Sequence, residues 1–186
     1  EKKVYLFCDE FTNFNDVEIG MDTYHLLEKL GYEVLFVDHE ESGRSMVTKG
    51  FLDEFKIICN KNIAVFKDII SEHTPLIGIM PTPILTFRDE YLRIADDKES
   101  ALKISKHCWT IEEFIQQEIK KGNIKTEQFT SEEKEVKIHG HCHQKSLIGM
   151  HPAFAMLNLP TNYKVSILNT GCCGMAGSFG FEKEHY

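Results

Sequence analysis

Two short segments carry the residues with the most chemical reach. His139-Gly140-His141-Cys142-His143-Gln144-Lys145 and Gly171-Cys172-Cys173-Gly174 together hold three of the six cysteines and three of the nine histidines. Thiolate sulfur and imidazole nitrogen are ligands for zinc and for iron–sulfur clusters. Cys142, Cys172 and Cys173 are the candidate cofactor ligands, with His141 and His143 as further metal ligands or proton donors. Zinc wants four ligands, so a histidine would complete the set; a cluster wants cysteine in greater number. The spacing is not that of a zinc finger. The alternative is a set of buried cysteines beside surface histidines, but a glycine-flanked vicinal pair is poor core packing. His139, His141 and His143 alternate, so on an extended segment they would share one face. Cys142 beside His143 also admits a thiol nucleophile with its base, although sequence neighbours seldom form such a pair.

These segments need elements to bring them together. Val136 to His139 reads as a strand that delivers the first segment, and Val165 to Leu168 as a buried strand that delivers the second. Between them, Lys145 to Leu157 has helical apolar spacing interrupted by Pro152. Neighbouring parallel strands lie about 5 Å apart, and ligands bind beyond their C-terminal ends. A helix starting after Gly174 would aim its N-terminal N–H groups at the thiols.

The first 95 residues read as β-α-β-α-β-α. Strands are expected at Val4–Cys8, Val34–Val37 and Pro75–Met80, with a polar turn at Asp9–Asn15. Helices are expected at Asp16–Leu30, at 46–72 with a break near 60, and at Phe87–Ala95. Residues 96–135 read as a helical connector without a strand. Cys59 and Cys108 sit in apolar, helix-like contexts and read as core. The expected fold is α/β, with two pseudo-repeated parallel βαβ-containing halves joined by that connector: 1–95, 96–135 and 136–186. In this reading each half runs strand, cysteine, helix, strand, turn. Cys8 stands for Cys142, and Glu41-Ser42-Gly43 for Cys172-Cys173-Gly174. The first copy has lost its paired cysteines. The uncapped, charged stop at Tyr186 suggests truncation.

A net charge of −8 argues against nucleic acid and anionic membrane surfaces. No apolar run approaches the roughly 20 residues of a transmembrane helix, and no signal peptide is visible. Six cysteines in 186 residues are too sparse for a disulfide scaffold. A reducing, cytoplasmic setting follows, with peripheral contact at the inner face of a membrane left open.

The segments Gly171–Gly180 and His139–Lys145 resemble the CCG, or cysteine-rich, domain. That domain occurs in heterodisulfide reductase, in the iron–sulfur subunits of glycolate oxidase and anaerobic glycerol-3-phosphate dehydrogenase, and in lactate-utilisation proteins. The chain is most similar to the C-terminal part of fused FAD-linked oxidases of the D-lactate or D-2-hydroxyacid dehydrogenase type. Those enzymes share a Ser-Gly-Arg first motif and a segment like Ile84–Tyr91. The resemblance implies an electron-transfer module of a flavin-dependent dehydrogenase. It would hold an iron–sulfur cluster of the 4Fe-4S type, or zinc in some members, through Cys142, Cys172 and Cys173. Its partners would be flavin and ferredoxin-like domains or subunits, with FAD carried by the parent enzyme. Further family ligands lie about 35 residues beyond Cys173. Pro81-Thr82-Pro83 stands where the family's first copy can have Pro-Ser-Cys. The sequence carries no flavin fingerprint and no ferredoxin-type cysteine repeat, so the chain is not expected to oxidise a substrate alone. A redox-silent, zinc-bearing docking domain is the alternative.

Overall fold

The computed structural model describes residues 2–175 and 178–185. The fold is α/β, and every strand pairing is parallel among the described elements. The chain divides into two compact units, residues 1–110 with 175–186, and residues 111–174.

The first unit is built on a sheet of four strands. β1 (Lys2–Phe7), β2 (Tyr32–Leu35), β3 (Leu76–Gly78) and β4 (Cys108–Thr110) run in the order β2-β1-β3-β4. Val4, Leu6 and Phe7 of β1 are buried, as are Leu76 and Ile77 of β3, because central parallel strands are covered on both faces. Gly78 closes β3 where a Cβ would lie 2.4 Å from the Cβ of Ile84, so only glycine lets the following helix approach. β4 carries Trp109, with the Arg88 guanidinium 5.7 Å from the centre of its ring.

The helices of this unit follow from caps and apolar spacing. Asp9 accepts from the N–H groups of Phe11 and Thr12 and so starts α1 (Glu10–Phe14). α2 (Val17–Lys29) ends before Gly31, whose φ of 89° suits a helix stop. α3 (Arg44–Lys49) is closed by Gly50, at φ 83°. α4 (Leu52–Phe66) buries Phe55, Cys59, Ile63 and Phe66 on one stripe. α5 (Pro81–Thr86) has Pro81 at its first position, where the missing N–H costs nothing. α6 (Glu90–Ile94) and α7 (Lys98–Ser105) complete the cover.

The second unit contains α8 (Ile111–Lys120), β5 (Lys134–Ile138), α9 (Cys142–Leu147), α10 (His151–Leu157) and β6 (Tyr163–Ile167). β5 and β6 pair in parallel, Lys134 with Tyr163 through Ile138 with Ile167. The window before β6 is two short helices, with Pro152 near the start of α10.

Several expectations need correction. Asp9–Asn15 is mostly helix, because Asp9 caps it. The long helix expected at 46–72 breaks at Gly50-Phe51 rather than near 60, since Gly50 takes the left-handed conformation and α4 runs unbroken through Asn60. The helix expected at Phe87–Ala95 is shorter, and α5 precedes it. The connector holds a strand, β4; its three residues are too few to show a period. Cys108 is therefore a strand residue, although buried as expected. β6 is not buried: Ile167 is 42% exposed, because a two-stranded sheet leaves much of its surface uncovered.

Candidate metal centre at two strand ends

Cys142 and the Cys172-Cys173 pair follow β5 and β6, and those two strands are neighbours. The pairing expected from the sequence is thus present, and both motifs lie at the C-terminal edge of one parallel sheet. Leu168 continues the ladder by donating its N–H to the carbonyl of Ile138 at 2.9 Å. Beyond it, Lys145 Nζ donates to the carbonyl of Thr170 at 2.9 Å and reaches that of Gly171 at 3.5 Å. One lysine of α9 therefore holds the backbone just before the cysteine pair.

All three thiols are exposed. The Gly174 N–H donates to Cys172 Sγ at 3.3 Å, a contact that favours thiolate. His141 is the N-cap of α9, its Nδ1 accepting from the His143 N–H at 3.2 Å. His143 lies inside α9, so the three histidines do not share one extended face; α9 begins too early for that. Among the described residues, no three ligand atoms from these cysteines and histidines lie within 4.8 Å of one another. Thiols and imidazoles are the ligand types that zinc and iron–sulfur centres use; three thiols alone fall one short of the four that a cluster takes. No α-helix follows Gly174 among the described residues; Phe179–Phe181 is a 3₁₀ turn. Ala176 and Gly177 of the second motif lie outside the described residues.

The first copy can be registered on the second through the strand pairs. Lys2 pairs with Tyr32 as Lys134 pairs with Tyr163. In each pair the ammonium lies over the tyrosine ring, at 5.4 Å and 5.8 Å from the centre. Eight residues lead from Lys2 to Glu10 and eight from Lys134 to Cys142. Glu10 and Cys142 each open a helix, and the residue before each, Asp9 or His141, caps it with a side-chain acceptor. Nine, ten and eleven residues lead from Tyr32 to Glu41, Ser42 and Gly43, and the same steps lead from Tyr163 to Cys172, Cys173 and Gly174. Gly43 and Gly174 both take positive φ, 75° and 88°. In this register Glu10 stands at the position of Cys142, and Cys8, the residue expected there, falls on Gly140, two residues before the helix start.

At the first site the equivalent residues meet. Ser42 Oγ donates to Glu10 Oε1 at 2.6 Å and the Ser42 N–H donates to Glu10 Oε2 at 2.9 Å. Burial, followed by the charges of Glu10 and Glu40, pushes the Glu41 carboxyl up. The backbone of this loop is held from α4 and α6. Glu40 N–H donates to Asn62 Oδ1, Asn62 Nδ2 to the Glu41 carbonyl, and the buried Tyr91 hydroxyl to the Ser42 carbonyl, at 2.9–3.1 Å. Arg44 pairs with Glu90, and Lys49 with Glu182 at 3.1 Å. Beside the site, an apolar cavity of about 280 Å³ opens between the ends of β1 and β3, lined by Phe7, Cys8, Met21, Phe36 and Ile79. Burial pushes up the Cys8 thiol, so it is a poor thiolate ligand.

The chain is similar in sequence to known dehydrogenases. It is 27% identical over 185 residues to a D-2-hydroxyglutarate dehydrogenase of Pantoea ananatis, a match covering 99% of this chain and 17% of that protein. With the enzyme of the same name from Escherichia coli K12, identity is 25% over 187 residues, covering 100% of this chain and 18% of the relative. With one of the subunits of anaerobic glycerol-3-phosphate dehydrogenase from the same strain, identity is 24% over 186 residues, covering 99% of this chain and 46% of that polypeptide. The chain thus spans about a sixth of the length of the first two and under half of the third. No family model and no solved structure matches it.

Proposed function

We propose that this chain is a CCG-type redox module of a dehydrogenase, one that oxidises a 2-hydroxy acid or glycerol 3-phosphate through a flavin elsewhere in the enzyme. The observation that carries the proposal is the parallel pairing of β5 with β6, the two strands that lead to Cys142 and to Cys172-Cys173. Matches that span nearly all of this chain, to a part of D-2-hydroxyglutarate dehydrogenases and a part of a glycerol-3-phosphate dehydrogenase subunit, support the class. In this reading Cys142, Cys172 and Cys173 hold an iron–sulfur cluster, and His141 or His143 stands beside it. A bound cluster would supply one-electron transfer. The chain's own residues position that chemistry. Lys145 holds the 170–171 backbone, the Gly174 N–H lowers the cost of a thiolate at Cys172, and His141 fixes the start of the helix that presents Cys142. Flavin and ferredoxin-like domains or subunits are its partners. Among the described residues no helix is long and apolar enough to cross a membrane, and we place the module in the cytoplasm.

The test is anaerobic purification, iron, sulfide and zinc analysis, and EPR of the reduced protein. Iron with sulfide and a cluster signal, lost in Cys172→Ser, is expected. Stoichiometric zinc without any cluster signal would overturn the redox reading in favour of a zinc-bearing docking domain. Unchanged metal content in Cys172→Ser would remove the site altogether.

A further inference from the structure

We propose that Glu10 and Ser42 are a metal-free stand-in for a Cys142–Cys173 ligand pair, a two-pronged latch that ties the ends of β1 and β2 together by hydrogen bonds. The idea of a stand-in rests on the reading of Cys142, Cys172 and Cys173 as metal ligands; the registration of the two strand pairs and the latch do not.

Registered on their strand pairs, the two copies place Glu10 on Cys142, Glu41 on Cys172 and Ser42 on Cys173, with no gap between strand and site on either side. Three sulfurs in one copy are three oxygen-bearing side chains in the other. A metal held by Cys142 and Cys173 would link the helix start after β5 to the loop after β6. In the first copy that link is already made. Glu10 opens the helix after β1, Ser42 lies in the loop after β2, and one carboxylate accepts both the hydroxyl and the N–H of Ser42. Ser42 is fully buried. Both hydrogen bonds are part-buried, which limits competition from water.

The surroundings differ in the same sense. The loop at 40–42 is held by Asn62 and Tyr91 as well as by the latch. The cysteine-bearing residues 171–174 are exposed. The first copy therefore keeps its strand ends joined without metal, and metal-dependent ordering is confined to the second.

Two experiments on the whole chain test this. In the first, Cys142, Cys172 and Cys173 are changed to Ser, and Glu10→Cys, Glu41→Cys and Ser42→Cys are added to that background. Cobalt(II) is then titrated anaerobically. The expected result is one equivalent of cobalt with sulfur-to-cobalt charge-transfer absorption that the background protein lacks. A variant with native circular dichroism and no such absorption overturns the equivalence. In the second, amide exchange is compared between wild type and Glu10→Ala. Loss of the carboxylate that accepts both the N–H and the hydroxyl of Ser42 should speed exchange at the Ser42 amide at least about tenfold and leave the amides of the β1–β2 ladder unchanged. An unchanged Ser42 rate overturns the latch, even where the cysteine variant does not fold. Whether the natural cysteines take up metal enters neither readout, so failure of the cluster reading would be seen separately.

Discussion

The six thiols fall into distinct chemical classes. Cys142, Cys172 and Cys173 are exposed, whereas Cys59 and Cys108 are buried and Cys8 lies between. Burial pushes the Cys59 thiol up to about 12, and raises Cys108 as well. Maleimide labelling of the native, metal-free protein should modify the three exposed thiols within minutes and leave Cys59 and Cys108 untouched until denaturant is added; mass spectrometry of peptides reads the difference. The raised Cys59 value also has a consequence for alkaline stability. The folded form keeps this thiol neutral, so its contribution is fully present below the unfolded value near 9 and is lost as pH rises from there through about 12. Thermal midpoints should fall across that window, and the fall should be shallower in Cys59→Ala. Lys145 makes a sharper case at the proposed metal centre. Replacing it with Met removes the tether to the Thr170 carbonyl, and metal affinity should fall about tenfold, as for other groups that orient ligands. The exposed Lys164→Met is the control, and competition with a chromogenic chelator is the measurement.

At the scale of elements, the caps and turns differ in how tightly they are held. Gly43 needs positive φ, and a Cβ there would also lie 2.6 Å from the ring of the buried Phe55. Gly174 needs positive φ too, but an added Cβ would meet nothing within 4 Å. Gly43→Ala should therefore cost about 2 kcal/mol or more, read as a Tm fall of roughly 4–8 °C. Gly174→Ala should cost less, about 1–2 kcal/mol from the backbone alone. Equal effects would mean that the two turns are packed alike. Asp9→Ala, which removes the cap of α1, should lower stability by about 1 kcal/mol in a urea melt.

For the whole molecule, the parallel α/β plan was legible in the sequence because it is written in apolar runs separated by turns. Val4-Tyr5-Leu6-Phe7 and Leu76-Ile77-Gly78 announce buried strands without any knowledge of their partners. The pairing of the two motif-bearing strands was also legible, from their position either side of one short helical stretch. What escaped was short or decided by capping. β4 has three residues and no period, and α1 has five and depends on Asp9 accepting two N–H bonds. The offset of Cys8 from the register position of Cys142 has the same origin. Cysteine matches cysteine by type, but the backbone counts from a lysine stacked on a tyrosine to a helix start, and there the first copy has glutamate. The residue type of Glu10 does not announce its bonds to Ser42; only the fold brings the two together.

Trp109 is the single tryptophan of the chain, half-buried on β4 at the edge of the four-stranded sheet, under the Arg88 guanidinium. Intrinsic fluorescence excited at the red edge consequently reports on the first unit alone, and is blind to the strand pair that bears the cysteines. A melt followed through tryptophan and the same melt followed by far-ultraviolet circular dichroism are thus views of different bodies. If the two units unfold as one, the curves superimpose; if they come apart separately, dichroism shows a transition that tryptophan does not. Addition and removal of metal should then shift the dichroism-only transition while the tryptophan curve stays in place.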